Sequence, residues 1–243
     1  MRTLVITPCS AKKRGNVPDP ARALDLADPR RSQQAKARLA EFACPAADMY
    51  TGTHHRLVMD GVRAVWECWG RDVLDLTILS AGYGLLDAQA RIIPYDVTFH
   101  EFNAAELAQW VAHLQIPERA TALVRDSDLV FFLLSGRYLQ VLGLPLDVPS
   151  SVTQIVLTDQ QSLHLVPPAA NVHSFIADGA VAARRWHVKA PHVRGFLFGR
   201  LCKQIVQHGP VVLDWLHYHP EDTESLFYKR ARWRPQWPLW KTA

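Results

Sequence analysis

The sequence predicts an α/β fold, with a mixed, partly parallel sheet flanked by helices and strand-end loops forming one pocket. Three observations predict it. Short apolar runs rich in β-formers, including Leu4-Val5-Ile6, Leu74 to Leu79 and Val152 to Leu157, alternate with stretches of helical periodicity. Several of these runs end in small or polar residues, as in Pro8-Cys9-Ser10, Ser80-Ala81-Gly82 and Ser135-Gly136. Strands separated by helices pair in parallel, and open α/β sheets hold ligands at the carboxyl ends of their strands.

Arg2 to Thr7 is the first strand. A Pro- and Asp-rich connection, Gly15 to Pro29, leads to a polar helix from about Arg31 to Phe42. Thr53 can cap a second helix, whose Leu57, Val58, Val62, Val65 and Trp66 recur at helical spacing. Trp66 and Trp69, three residues apart, are expected in the core, and His54-His55 as a surface pair at the helix start. Leu74 to Leu79 is a strand, and Asn103 with Glu106 forms a capping box opening a helix over Ala104 to Leu114. Asp128 to Leu134 and Val152 to Leu157 are further strands, with the Pro-rich stretch 144–149 a loop between them. Arg194 to His208 reads as a helix stopped by Gly209-Pro210. No repeat or firm boundary divides the chain, so one domain over residues 1–243 is expected, with 160–243 as a basic, aromatic-rich C-terminal extension.

Composition narrows the classes. The 243 residues, 49% hydrophobic and 21% charged, suit a soluble globular protein with a sizeable core. No apolar run approaches the roughly 18 residues that span a bilayer. The first residues enter a strand with no signal-peptide layout, so a cytoplasmic protein without membrane association is expected. Cys9, Cys44, Cys68 and Cys202 are scattered, which speaks against a disulfide framework or zinc ribbon. No HxxxH or HExxH pattern marks a metal site, and no cofactor is expected.

The net charge of +4 is unevenly spread. Ser10 to Ala40 holds eight Lys or Arg against three Asp, and Gly179 to Leu213 holds six and no acid. From Phe227 onward Lys229, Arg230, Arg232, Arg234 and Lys241 are interleaved with Tyr228, Trp233, Trp237 and Trp240. Basic patches with interleaved aromatics suit phosphate contacts and base stacking, and equally a solvated basic surface.

Chemistry concentrates at three strand ends: Thr7 to Lys13, Ser80 to Gly84 and Ser135 to Tyr138. Small hydroxyls and free backbone N–H groups there can bind phosphate or a base edge, with Lys12 and Lys13 supplying counter-charge. Gly82 and Gly84 bracket Tyr83, and Pro94-Tyr95-Asp96 follows eleven residues after that tyrosine. Asp96 is the candidate carboxylate, although it can also cap a turn before Val97 and Thr98. Tyr83 or Tyr95 can stack on a base, and Ser10, Ser80 or backbone N–H groups can read its edge, with Ser135 and Gly136 as further candidates for the pocket or for DNA contact. Lys12 is the second catalytic candidate, as an amine nucleophile. Cys9 offers a rival thiolate nucleophile, with His54, His55 or His100 as base.

In order along the chain, Pro8-Cys9-Ser10-Ala11-Lys12-Lys13, Tyr50-Thr51-Gly52, Ser80 to Leu86 with Pro94-Tyr95-Asp96, and Ser135-Gly136-Arg137-Tyr138 resemble a known superfamily. It contains the YaaA-like peroxide-stress DNA-binding proteins and is similar to the lysine-transferring domain of archaeosine synthase and to small proteins of defence or DNA-modification loci. The resemblance runs over about residues 3 to 145, and beyond 150 only Gly199-Arg200-Leu201 matches. It implies a mixed α/β fold, no obligatory metal, and a role directed at DNA or a nucleobase, with Tyr50 and the three loops around the pocket.

The resulting expectation is a DNA-acting, glycosylase-like enzyme that cleaves or exchanges the N-glycosidic bond of a base, in phage defence or a damage response. The chemistry needs a carboxylate beside an oxocarbenium-like sugar and donors to the departing base. A non-catalytic DNA-binding stress or defence protein is one alternative, and a transferase acting on a deazapurine in nucleic acid is another. Double- or single-stranded DNA is the expected partner; the oligomeric state is left open.

Overall fold

A computed structural model describes residues 1–15 and 17–228. The basic, tryptophan-bearing stretch 229–243 therefore lies outside the described residues. The chain opens with β1 (Thr3–Pro8), followed by α1 (Ala23–Ala27), α2 (Pro29–Arg38), β2 (Cys44–Pro45), α3 (Ala46–Met49) and α4 (Thr53–Trp69). Next come β3 (Asp75–Ser80), β4 (Gly84–Asp87), β5 (Arg91–Ile92), α5 (Ala104–His113), α6 (Ile116–Arg125) and β6 (Leu129–Phe132). The rest comprises α7 (Arg137–Leu142), β7 (Thr153–Thr158), β8 (Val172–Ile176), α8 (Gly179–Trp186), α9 (Val193–His208), α10 (Val211–Tyr218) and α11 (Thr223–Tyr228).

The main sheet has six strands in the order β4-β3-β1-β6-β7-β8. All neighbours are parallel except β4, which returns antiparallel along β3. The fold is thus the expected mixed, mostly parallel α/β sheet with helices on both faces. Because β1 pairs with β3 on one side and β6 on the other, the crevice between β1 and β6 is where chain order reverses. Ligands of open α/β sheets bind at such points.

Alternation along β1 divides the core. Leu4 and Ile6 face one layer, with Trp110 of α5, Ala120 of α6 and Leu139 of α7; Val5 faces the other, with Val58 and Val62 of α4 and Leu197 and Leu201 of α9. Two predicted boundaries hold closely. Asn103 and Glu106 form the reciprocal capping box of α5, and Gly209, at φ +90°, ends α9.

Other expectations are corrected. Gly52, not Thr53, is the N-cap of α4 and gives no side-chain cap. Trp69 is 46% exposed, while Trp66 is half-buried and donates its indole N–H to the Leu74 carbonyl at 2.9 Å. The predicted helix up to Phe42 ends at Arg38 and continues only as a 3₁₀ turn over Ala40–Phe42. His54 and His55 are not a surface pair: His55 is 1% exposed and bonds the Ala47 carbonyl, and His54 packs under α9. Among the described residues no helix is long and apolar enough to cross a membrane.

The α4–α9 contact is close because small residues line it. A Cβ on Gly195 would stand 2.7 Å from the His54 carbonyl oxygen, and one on Gly61 would stand 3.2 Å from the Gly199 Cα. Gly195→Ala is therefore expected to destabilise the protein by about 1–3 kcal/mol through overpacking against backbone. Urea denaturation at constant m-value measures it.

Candidate functional site

The three loops named in the sequence converge at the carboxyl edge of β3, β1 and β6. Their centre is a buried set of hydroxyls. Tyr95 Oη lies 2.7 Å from Ser80 Oγ and 2.9 Å from Tyr50 Oη, and all three residues are at most 2% exposed. Ser80 Oγ also accepts the backbone N–H of Gly82 and of Tyr83, each at 3.2 Å, which closes the turn after β3. Burial pushes the Tyr50 and Tyr95 phenols well above their ordinary range. Tyr50, Ser80 and Tyr95 thus hold the site from beneath, as core residues whose polar groups satisfy one another.

The two glycines beside Tyr83 have different reasons. Gly84 has φ +69° and turns the chain back into β4, and a Cβ there would stand 3.2 Å from the Leu114 carbonyl oxygen. Gly82 is required by contact: a Cβ there would meet the Tyr95 ring at 2.7 Å. Tyr83 lies edge-on to Tyr95 with centroids 5.2 Å apart and remains part-exposed, so it walls the site. Burial pushes its phenol up to about 12, and its hydroxyl donates to the Ile93 carbonyl at 3.4 Å.

The loop after β1 is tied to the segment before α4. Ser10 Oγ donates to the Lys12 carbonyl at 2.6 Å and accepts from Gly52 N–H at 3.2 Å, so its hydroxyl is occupied by loop closure. Thr51 N–H donates to the same carbonyl, and Lys13 bridges Tyr50. This sends the exposed Lys12 outward and folds Lys13 inward, its Nζ 4.2 Å from the centroid of the Tyr95 ring. Burial lowers the Lys13 pKa, opposed by the charges of Cys9, Asp96 and Glu101. The inward lysine is therefore Lys13, not the predicted Lys12.

Asp96 follows the buried Tyr95 and is exposed. Its backbone N–H donates to the Ala21 carbonyl at 2.8 Å, and its carboxylate makes no hydrogen bond among the described residues. The capping task falls to Thr98, which accepts from His100 N–H. Cys9 Sγ lies 3.1 Å from Tyr138 Oη, bridging the ends of β1 and β6; His54 and His55 are engaged elsewhere. Among the described residues no group of three or more His, Cys, Asp or Glu could hold a metal ion.

Ser135 and Gly136 lead to a second chamber. Gly136 N–H donates to Ser162 Oγ at 2.7 Å, and Ser135 lines a cleft of about 620 Å³ with Asp159, Ala177, Gly179, Pro191 and Arg194. Thr7 opens the first of the three strand-end loops named in the sequence, whereas no sequence motif singles out Asp159 or Arg194 for this region. The drop in acid content after Gly179 is the one available signal for Arg194, but its placement depends on α9 packing over β7.

Two expectations follow. Ser80→Ala strips acceptors from two backbone N–H groups and a partner from Tyr95, so a loss of about 1–3 kcal/mol is expected in chemical denaturation. His54 donates to or accepts from Thr7 Oγ1 at 3.1 Å, and its pKa is lowered to about 3 by burial first, then by Arg194, His55 and His192. Unfolded chains take up this proton near pH 6.5 and the folded protein only near 3, so stability is lost as pH falls through that window. His54→Gln is expected to flatten the decline by up to about 4 kcal/mol, read from denaturation midpoints across the window.

Comparison with known proteins adds one finding. No curated protein matches the sequence. A model of the family of unknown function DUF6884 matches residues 34–161, more than half of the chain. The match includes Tyr50, Ser80 to Asp96, Ser135 to Tyr138 and Asp159, and leaves out β1 with Lys13. The chain belongs to the DUF6884 family.

Proposed function

We propose that the protein acts on DNA as a glycosylase-like enzyme that cleaves or exchanges the N-glycosidic bond of a base, a modified base included. One observation carries the reading: Asp96 presents an exposed carboxylate, without a hydrogen bond among the described residues, whose charge acts on Lys13, and the Lys13 ammonium rests on the Tyr95 ring within a tyrosine-walled strand-end site. Bond cleavage builds positive charge on the sugar at C1′, which a nearby carboxylate stabilises. In hydrolysis Asp96 takes a proton from water as its oxygen bonds C1′. The bond to the base nitrogen breaks, and the base leaves with the electron pair and acquires a proton. Tyr83 supplies a stacking wall for an extruded base.

In the exchange route the neutral amine of Lys13, which its burial favours, bonds C1′ as the bond to the base breaks. The base leaves with the electron pair and takes up the proton the amine sheds, and an incoming base then displaces Lys13 from C1′. Lys12, Arg14, Arg22, Arg30, Arg31 and Lys36 are exposed and suit phosphate contacts. The same surface favours a second reading, a non-catalytic DNA-binding protein of the stress or defence type. The resemblance to archaeosine synthase keeps a nucleobase transferase as the third. The cytoplasm is the proposed compartment for each.

Mass spectrometry of bases released from modified and unmodified DNA tests the enzyme. Asp96→Asn is expected to lower release at least about 100-fold with the melting temperature preserved. Tight DNA binding without release by the parent protein supports the binding reading instead. In the exchange route borohydride traps a protein–DNA adduct that Lys13→Met abolishes and Lys12→Met retains. Trapping rises with pH through the Lys13 pKa, which lies below the ordinary 10.5.

A further inference from the structure

Arg194 occupies the first turn of α9, and its side chain is only 12% exposed. A guanidinium carries five N–H donors. Among the described residues its ion pair is with Asp159, from Nη1 to Oδ2 at 3.4 Å, long for a charge-assisted bond. Its Nε is buried without an acceptor among the described residues. Asp159 Oδ1 accepts the N–H and hydroxyl of Ser162 at 2.9 and 2.7 Å, which leaves only Oδ2 to Arg194. These bonds and Arg194 together hold the Asp159 pKa below its ordinary range, although burial pushes the other way. Burial lowers the Arg194 pKa in spite of Asp159. A cation so shielded and so thinly paired is costly to keep without a further anionic partner.

The space beside it is open. The cleft of about 620 Å³ runs between Ser135 and Asp159 on the sheet edge and Gly179, Ala190 and Pro191 opposite. The other carboxylate at its wall, Asp178, is occupied by the N–H groups of Ala180 and Val181 as the cap of α8. At the base of α9, His54 Nδ1 and His192 Nδ1 are also buried without partners among the described residues. Arg184, Arg185 and Lys189, exposed on α8 and the segment after it, extend positive charge beyond the cleft.

We propose that this cleft binds a phosphate ester, whose anionic oxygens complete the hydrogen bonding of Arg194. The inference goes beyond the glycosidic reading and does not depend on it, since a free nucleotide and a DNA backbone carry the same group.

Thermal melting of the whole protein, titrated with inorganic phosphate at constant ionic strength against chloride, tests it. A saturable rise in melting temperature is expected, following the logarithm of ligand over dissociation constant. Arg194→Met is expected to melt no lower than the parent without phosphate, and to weaken the response at least tenfold. Pro191→Glu places a carboxylate at the exposed rim with the Arg194–Asp159 pair intact, and is expected to weaken the response likewise. No saturable response in the parent, or an undiminished one in Pro191→Glu, overturns the proposal even where Arg194→Met fails to fold. Competition by a mononucleotide identifies a free nucleotide as the source; competition by DNA alone identifies the backbone. Base release is read separately, so a protein that binds phosphate through Arg194 but releases no base refutes only the glycosidic reading.

Discussion

A phenol buried beyond the reach of water needs partners inside the protein, and the Tyr95 hydroxyl has Ser80 and Tyr50. These residues come from the end of β3, the segment after β5 and the stretch leading into α4, so one hydrogen-bonded cluster ties three distant parts of the chain. Ser80 also fixes the turn on which Tyr83 stands, and the face of the Tyr95 ring carries Lys13. The geometry of the candidate site therefore depends on satisfaction of a buried polar group. Among neutral hydroxyls such a cluster is inexpensive when complete and disruptive when one member is missing.

The two chambers treat charge in opposite ways. Around Lys13 the carboxylate of Asp96 is exposed and makes no hydrogen bond among the described residues, while the cation is partly withdrawn from water. Around Arg194 one carboxylate oxygen of Asp159 takes two hydrogen bonds from Ser162, while the guanidinium has a single long one to the other oxygen among the described residues. Each chamber thus has one group whose electrostatic need is unmet by its neighbours. Cys9 and Tyr138 link the loops that follow β1 and β6, at the point where strand order reverses.

The parallel core and the convergence of its loops are legible in the sequence because an apolar run that ends in small polar residues fits little besides a buried strand feeding a loop. The capping box of α5 and the glycine stop of α9 are legible because each is a local hydrogen-bonding or backbone problem solved by adjacent residues. β4 and β8 leave little trace in the sequence. Gly84–Asp87 is short and follows a turn, and Val172–Ile176 is only partly buried at the sheet edge. His54 is illegible for a different reason: its burial is created by Gly195, which lies far along the chain on another helix. The choice between Lys12 and Lys13 likewise rests on the bridge to Tyr50, a contact no local pattern encodes.

The family match begins after β1 and ends after β7, yet β1 lies between β3 and β6 in the sheet. A fragment cut at residues 34 and 161 would lack the strand joining its two halves. It would bare one long parallel edge on each, together with the face of α4 that α9 covers. Unpaired edges of that kind invite association with other chains. The stretch shared with the family is a segment of a folding unit, and its smallest self-sufficient form must reach back to Thr3 and forward through α9.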